Sequence, residues 1–296
     1  MSIRPVSKLI KAKPMLEGAG VHLRRAFGFH NTSETDPFLL LDDFPEDYLA
    51  GFPWHPHRGI ETITYVLAGE VEHADSIGNK GAIGAGDIQW MTAGRGIIHQ
   101  EMPKGDGQGR MHGFQLWANL PASLKMTAPR YQEVKSGEIP NITDDDGTHV
   151  RLICGHFWGK RGPVEGIAAD PTYLDVSVPP GHRKVLHVET TSHAFAYVFA
   201  GGGKFCNASA PLAVPTEGIG WADVTPPTDA DDRSLVLFGS GDRIEVQAGE
   251  NGVRFLLVSG KPLQEPVAWY GPIVMNTQTE LQQAYDELKK GTFLKS

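Results

Sequence analysis

The sequence predicts an all-β fold of two tandem barrels followed by a short helix, and three features carry that expectation. Glycine (35) and proline (21) interrupt the 296 residues so often that only short runs remain, and these are rich in β-branched and aromatic residues. One set of runs occurs twice, because Tyr65-Val66-Leu67-Ala68-Gly69 returns as Tyr197-Val198-Phe199-Ala200-Gly201. A helical period with its own start signal is confined to the end of the chain.

The first barrel is expected over residues 1–135. Its strands are read from Glu61-Thr62-Ile63-Thr64-Tyr65-Val66-Leu67, Asp87-Ile88-Gln89-Trp90-Met91 and Phe114-Gln115-Leu116-Trp117. Gly69 closes one strand and Gly86-Asp87 opens another, as turns with positive φ require. The acidic stretch Asn141-Ile142-Thr143-Asp144-Asp145-Asp146-Gly147 is the expected linker, simply solvated.

Residues 148–296 are expected to form the second barrel and the helix. Gly241-Asp242 through Ala248-Gly249 repeats Gly86-Asp87 through Ala93-Gly94. Superposing the copies without gaps sets His187 and Glu189 under His55 and His57, but Arg254 and Leu256 under His99 and Glu101. A fixed cation at Arg254 opposes a divalent metal, so the second copy is expected to be degenerate and to serve as scaffold or pocket wall. Thr277 as N-cap and Glu280 three residues on complete a capping box for a helix running through Leu281, Ala284, Tyr285 and Leu288 to Gly291. Its apolar face is expected to pack on a barrel.

Composition narrows the function classes. A formal net charge of −8 with scattered basic residues lacks the electrostatic footprint of a nucleic-acid binder, so direct binding of DNA or RNA is not expected. No apolar run is long enough to span a bilayer, and the first ten residues are broken by charge and proline, unlike a secretory signal. Cys154 and Cys206 stand far apart and form no CxxC pair, which supports neither a disulfide framework nor a cysteine-rich zinc site. A monomer in a reducing, cytoplasmic compartment is expected, with the nucleus as the alternative in a eukaryotic cell.

The chemistry concentrates in two i, i+2 pairs: His55 and His57 in Trp54-His55-Pro56-His57-Arg58-Gly59, and His99 and Glu101 in Gly94-Arg95-Gly96-Ile97-Ile98-His99-Gln100-Glu101. On a strand that spacing aims both members of a pair at one face. Two such strands side by side would gather three imidazoles and a carboxylate, a donor set for a divalent transition metal such as iron, zinc, copper or nickel. Glu61 lies in phase with His55 and His57 but roughly 13 Å further along an extended strand, so Glu101 is favoured as the carboxylate ligand. Glu61 is left as a partner for a basic group such as Arg58. Phe52, Trp54, Met91 and Ile97 are candidates for a flat apolar pocket wall, with ordinary barrel core as the competing role.

His55-Pro56-His57-Arg58-Gly59-Ile60-Glu61-Thr62, the run from Gln89 through His99-Gln100-Glu101-Met102-Pro103, His112-Gly113-Phe114-Gln115-Leu116-Trp117 and Tyr270-Gly271-Pro272-Ile273-Val274-Met275-Asn276-Thr277 together resemble the pirin family of the cupin superfamily over nearly the whole chain. The resemblance implies two cupin-type (jelly-roll) barrels, with the metal in the first and none in the second. It implies His55, His57, His99 and Glu101 as ligands, Fe(II) as the ion, with Zn, Ni, Mn, Cu or Co able to take its place, and Glu101 as the catalytic group. Two roles follow from it: a quercetin 2,3-dioxygenase that opens the central ring of a flavonol with O₂ and releases carbon monoxide, or a redox-sensing partner of a transcription factor or metabolic enzyme.

Overall fold

Strand Ile60–Ala68 organises the first barrel, because its alternate side chains serve different interfaces. Ile63 and Tyr65 face outward into the apolar core shared by the two barrels, together with Phe114, Leu116, Phe195, Tyr197, Leu235 and Leu256. Thr64 faces inward, where its hydroxyl reaches Glu101. The structure is a computed structural model that describes residues 2–44, 51–205 and 228–294. Cys206 lies outside the described residues.

Two sheets form the first barrel. The larger has the strand order Arg130–Val134, Ile88–Thr92, Ile60–Ala68, His112–Asn119, Phe38–Phe44, Val21–Phe27 and Lys13–Glu17; the smaller runs Phe52–His57, Ile97–Lys104, Glu70–Asp75 and Lys80–Gly84. The second barrel is one sheet in which His193–Phe205 and Arg243–Gly260 are long enough to pass from one face to the other. Gly69, Gly86 and Gly201 all have positive φ at the turns where the sequence required it. Both barrels are cupin folds, as expected.

The termini cross between the barrels. Strand Val6–Lys11, counted with the first barrel from sequence, pairs with Ser234–Phe238 of the second. Conversely, the hairpin Ala268–Tyr270 and Ile273–Met275 and helix Gln278–Lys289 pack over the first barrel's histidine loop, where Arg58 bridges to Ile273 and its guanidinium bonds Glu287 at 2.8 Å. The helix carries the expected capping box, with Glu280 N donating to Thr277 Oγ1 and Thr277 N to Glu280 Oε2. Leu281 and Ala284 bury against Ile273, Met275 and Phe293.

Three sequence expectations are corrected here. The acidic stretch is largely exposed to solvent but is not a bare linker: Asn141–Thr143 is a strand paired with His149–Cys154, and Asp144 and Asp146 both hold Lys184. The ungapped repeat is out of register, since 188–192 separate Arg183–His187 from the next strand where only 58–59 separate Phe52–His57 from its own. His57 faces Ile97 in the first barrel and His187 faces Arg243 in the second, which sets Val185 and His187 under His55 and His57 and Glu245 under His99. Arg254 therefore does not stand at a ligand position; it forms two hydrogen bonds to Asp175, at 2.9 and 2.7 Å.

Across the shared core the repeat becomes a pseudo-twofold exchange. Tyr65 Oη donates to Asp175 of the second barrel at 2.7 Å, and Tyr197 Oη donates to Asp43 of the first at 2.8 Å. Burial, then the neighbouring carboxylate, pushes both phenols far above their ordinary pKa, so they remain donors. Tyr197→Phe leaves a buried carboxylate one donor short and is expected to cost about 1–3 kcal/mol, measured as a lower urea midpoint at unchanged slope.

Candidate metal centre and its cleft

Strand pairing brings the two sequence pairs together. His55 lies opposite His99, and His57 opposite Ile97, in the ladder between Phe52–His57 and Ile97–Lys104. The register slips between His99 and Glu101, where Glu101 pairs with Phe52, so the edge strand carries an extra residue at Pro53-Trp54. Pro53 and Pro56 are tolerated there because this strand is the sheet's edge.

The three imidazoles converge through their Nε2 atoms. His55 Nε2 lies 3.0 Å from His57 Nε2 and 3.0 Å from His99 Nε2, and one ligand atom from each ring lies within 4.8 Å of the others. His55 Nδ1 is 2.9 Å from the Pro53 carbonyl; donating there leaves Nε2 with its lone pair toward the cluster. Glu101 Oε2 stands 3.9 Å from His99 Nε2. Its carboxylate is buried and accepts from Thr64 Oγ1 at 3.1 Å and from Gln115 Nε2 at 3.0 and 3.3 Å.

Burial governs the protonation of the cluster. It pushes His99 down to about 4, against the opposing pull of Glu101, and with the neighbouring imidazoles it holds His57 well below its ordinary value. The His57 and His99 rings are thus neutral near neutral pH. The unfolded chain binds a proton at His99 below about 6.5 and the folded one only near 4, so stability from the neutral ring is present above 6.5 and lost as pH falls to 4. The metal-free protein is expected to lose on the order of 3 kcal/mol more than a His99→Asn variant over that window, read from urea midpoints at successive pH values.

Glu61 takes no part in the cluster. The chain turns at Gly59, which has φ +78°, so phase is not carried from His57 into the next strand. Glu61 is buried and accepts from Thr92 Oγ1 at 2.7 Å. Nor does it pair with Arg58, whose guanidinium bonds Glu287, the Arg95 carbonyl and the Phe293 carbonyl.

A cleft of about 820 Å³ opens beside the histidines, lined by His55, His57, Glu101, Gln115, Arg25 and Asp42 among others. Of the four expected wall residues, Phe52 and Trp54 line it. Met91 and Ile97 do not; both are core, packed with Leu39, Ile60, Ala93 and Val274. The sequence reading missed Arg25, Asp42, Thr64 and Gln115. Their signal was polar side chains within otherwise apolar strands, Leu39-Leu40-Leu41-Asp42 and Phe114-Gln115-Leu116.

Two cupin barrels define a bicupin, and among the described residues the candidate metal centre, His55, His57 and His99, lies in the first of them. The pirin family profile matches residues 20–118 and that of the pirin C-terminal cupin domain matches residues 173–294. The chain belongs to the pirin family. A pirin-like protein of Caulobacter vibrioides is 43% identical over 298 residues, covering 99% of this chain and 100% of the relative. The crystal structure of a quercetin 2,3-dioxygenase from Acinetobacter baumannii superposes with a TM-score of 0.84 at 29% identity over 99% of both chains. A bacterial pirin from Escherichia coli, solved in complex with nickel(II), shares the fold with a TM-score of 0.65 at 21% identity, over 86% of this chain and 98% of that one. Among the described residues, no helix is long and apolar enough to cross a membrane.

Proposed function

We propose that His55, His57, His99 and Glu101 hold one divalent transition metal ion, Fe(II), and that the protein is a flavonol 2,3-dioxygenase of the quercetin-cleaving type. The observation that carries this proposal is the opening of the histidine cluster into a cleft walled by Phe27, Phe29, Phe52, Trp54, Trp117 and Trp269. Imidazole nitrogens that converge, with a carboxylate beside them, suit such an ion: His55 Nε2 stands 3.0 Å from both His57 Nε2 and His99 Nε2. When bound, the ion supplies positive charge that lowers the pKa of an attached enol and, as Fe(II), a redox partner for O₂.

The chain's own residues supply the rest. Phe52 and Trp54 offer apolar surface to a planar ring system, and the cleft walls hold it with its enolic 3-hydroxyl toward Glu101. Glu101 is the base: the hydroxyl O–H bond breaks, a carboxyl O–H forms, and Thr64 and Gln115 keep the carboxylate aimed into the cleft throughout. The electron-rich ring then reacts with O₂; both oxygen atoms enter the ring-opened ester and one ring carbon leaves as carbon monoxide.

Protein loaded with Fe(II) under argon and then mixed with quercetin and air tests the proposal. Bleaching of the flavonol band with matched O₂ uptake and carbon monoxide release is expected. Full metal occupancy without turnover would overturn it and favour the redox-sensing role instead.

A further inference from the structure

The large sheet of the first barrel carries a continuous polar row. Following register partners across its seven strands gives Lys13, Arg25, Asp42, Gln115, Thr64, Gln89 and Glu133 in one line. The second barrel has the corresponding line, aligned through the Tyr65/Tyr197 and Asp43/Asp175 exchange, in Leu152, Leu174, Leu257, Ala196 and Val236, all of them buried. The same architecture therefore closes with an apolar row. Burying polar groups costs free energy unless each is bonded, so fold stability alone does not call for the polar version.

Part of the row has a use already described, since Gln115 and Thr64 hold Glu101. Arg25 and Asp42 do not touch Glu101, yet both line the cleft. Neighbouring strands lie about 4.8 Å apart, which places Asp42 roughly 5 Å and Arg25 roughly 10 Å from the Gln115 strand, the reach of a fused aromatic ligand whose near end sits at the histidines. Arg25 donates to both Asp42 oxygens, at 2.8 and 2.9 Å, and its Nη1 lies 3.1 Å from Glu17. Phe29 and Trp269, stacked with centroids 4.0 Å apart, belong to the same cleft.

We infer that the Arg25–Asp42 pair determines substrate specificity by binding the vicinal hydroxyls of a catechol ring at the end of the substrate remote from the histidines. The inference rests on the flavonol assignment above. A vicinal diol matches the pair because one O–H donates to the Asp42 carboxylate while an adjacent hydroxyl oxygen accepts from the Arg25 guanidinium. An anionic tail would be repelled by Asp42, and an apolar tail would strip water from both charges without replacing it.

Calorimetric titration of the iron-loaded protein under argon, where no O₂ is available for turnover, compares quercetin with galangin, the same flavonol without the two vicinal hydroxyls. Quercetin is expected to bind about 10-fold more tightly, the equivalent of one charge-assisted hydrogen bond. In Asp42→Asn and in Arg25→Lys, each checked for an unchanged unfolding temperature, the ratio is expected to fall to within about twofold through weaker quercetin binding, with galangin affinity not reduced. Equal affinities in the unsubstituted protein, or variants that weaken both ligands alike, overturn the inference. Discrimination without turnover in air supports the recognition pair and sinks only the dioxygenase activity; binding of neither flavonol overturns both.

Discussion

His57→Ala protein is expected to retain less than about a tenth of an equivalent of metal and to lose more than about 100-fold in flavonol cleavage, because outer partners of metal ligands alone are commonly worth 10- to 100-fold. The His57 ring is enclosed on three sides: its centroid lies 4.8 Å from that of His55, 4.9 Å from His99 and 5.2 Å from Trp117. Truncation removes a nitrogen donor from the cluster. The variant should also stop responding to added metal in thermal unfolding, since an ion stabilises the fold only through its affinity for the native state. Elemental analysis and thermal scans with and without Fe(II) check both effects. Metal retention equal to that of the unsubstituted protein would remove His57 from the ligand set.

Gly59→Ala is expected to produce the largest loss of stability, about 3 kcal/mol or more, because it combines a left-handed backbone with a collision against main chain. Gly59 has φ +78°, and a Cβ there would lie 1.9 Å from the Val274 carbonyl oxygen. Three segments are tied at this point. Gly59 N donates to the Gly94 carbonyl at 2.8 Å, Val274 N donates to the Arg58 carbonyl at 3.0 Å, and Lys125 Nζ donates to the carbonyls of Gly59 and Val274 at 2.9 and 3.2 Å. Relief of the clash must lift the C-terminal hairpin from the histidine loop, so metal affinity should fall together with stability. Gly78→Ala is the control, with φ +94° and nothing within 4 Å of the added Cβ. It is expected to cost about 1 kcal/mol, from backbone strain alone. Urea unfolding of both variants checks the difference, and equal losses would show that contact with Val274 is unimportant.

The contrast between these sites shows what a sequence displays and what it conceals. The spacing of His55 with His57 and of His99 with Glu101 placed each pair on one face, because strand alternation is local. The Thr277–Glu280 capping box and the positive-φ turns at Gly69, Gly86 and Gly201 were legible for the same reason. Phe52 and Trp54 sit on the strand of the histidines and so followed them into the cleft wall, whereas Met91 and Ile97 turned into core at positions that composition could not tell apart. Arg58 pairs with Glu287, 229 residues away, and no local rule connects them. The row from Lys13 to Glu133 was hidden because its members occupy seven strands whose spatial order differs from chain order. The ungapped repeat kept Tyr197 in register with Tyr65 but misled where the connections between strands differ in length, which moves the counterparts of His55, His57 and His99 to Val185, His187 and Glu245.

X-ray absorption at the metal edge of iron-replete protein reads the donors around the bound ion. The proposed site calls for a first coordination sphere containing three imidazole nitrogens and an oxygen donor, with multiple-scattering features from three rings that diminish in the His57→Ala protein. A sphere made only of oxygen donors, or one unchanged by that substitution, would contradict the assignment of the ion to His55, His57, His99 and Glu101.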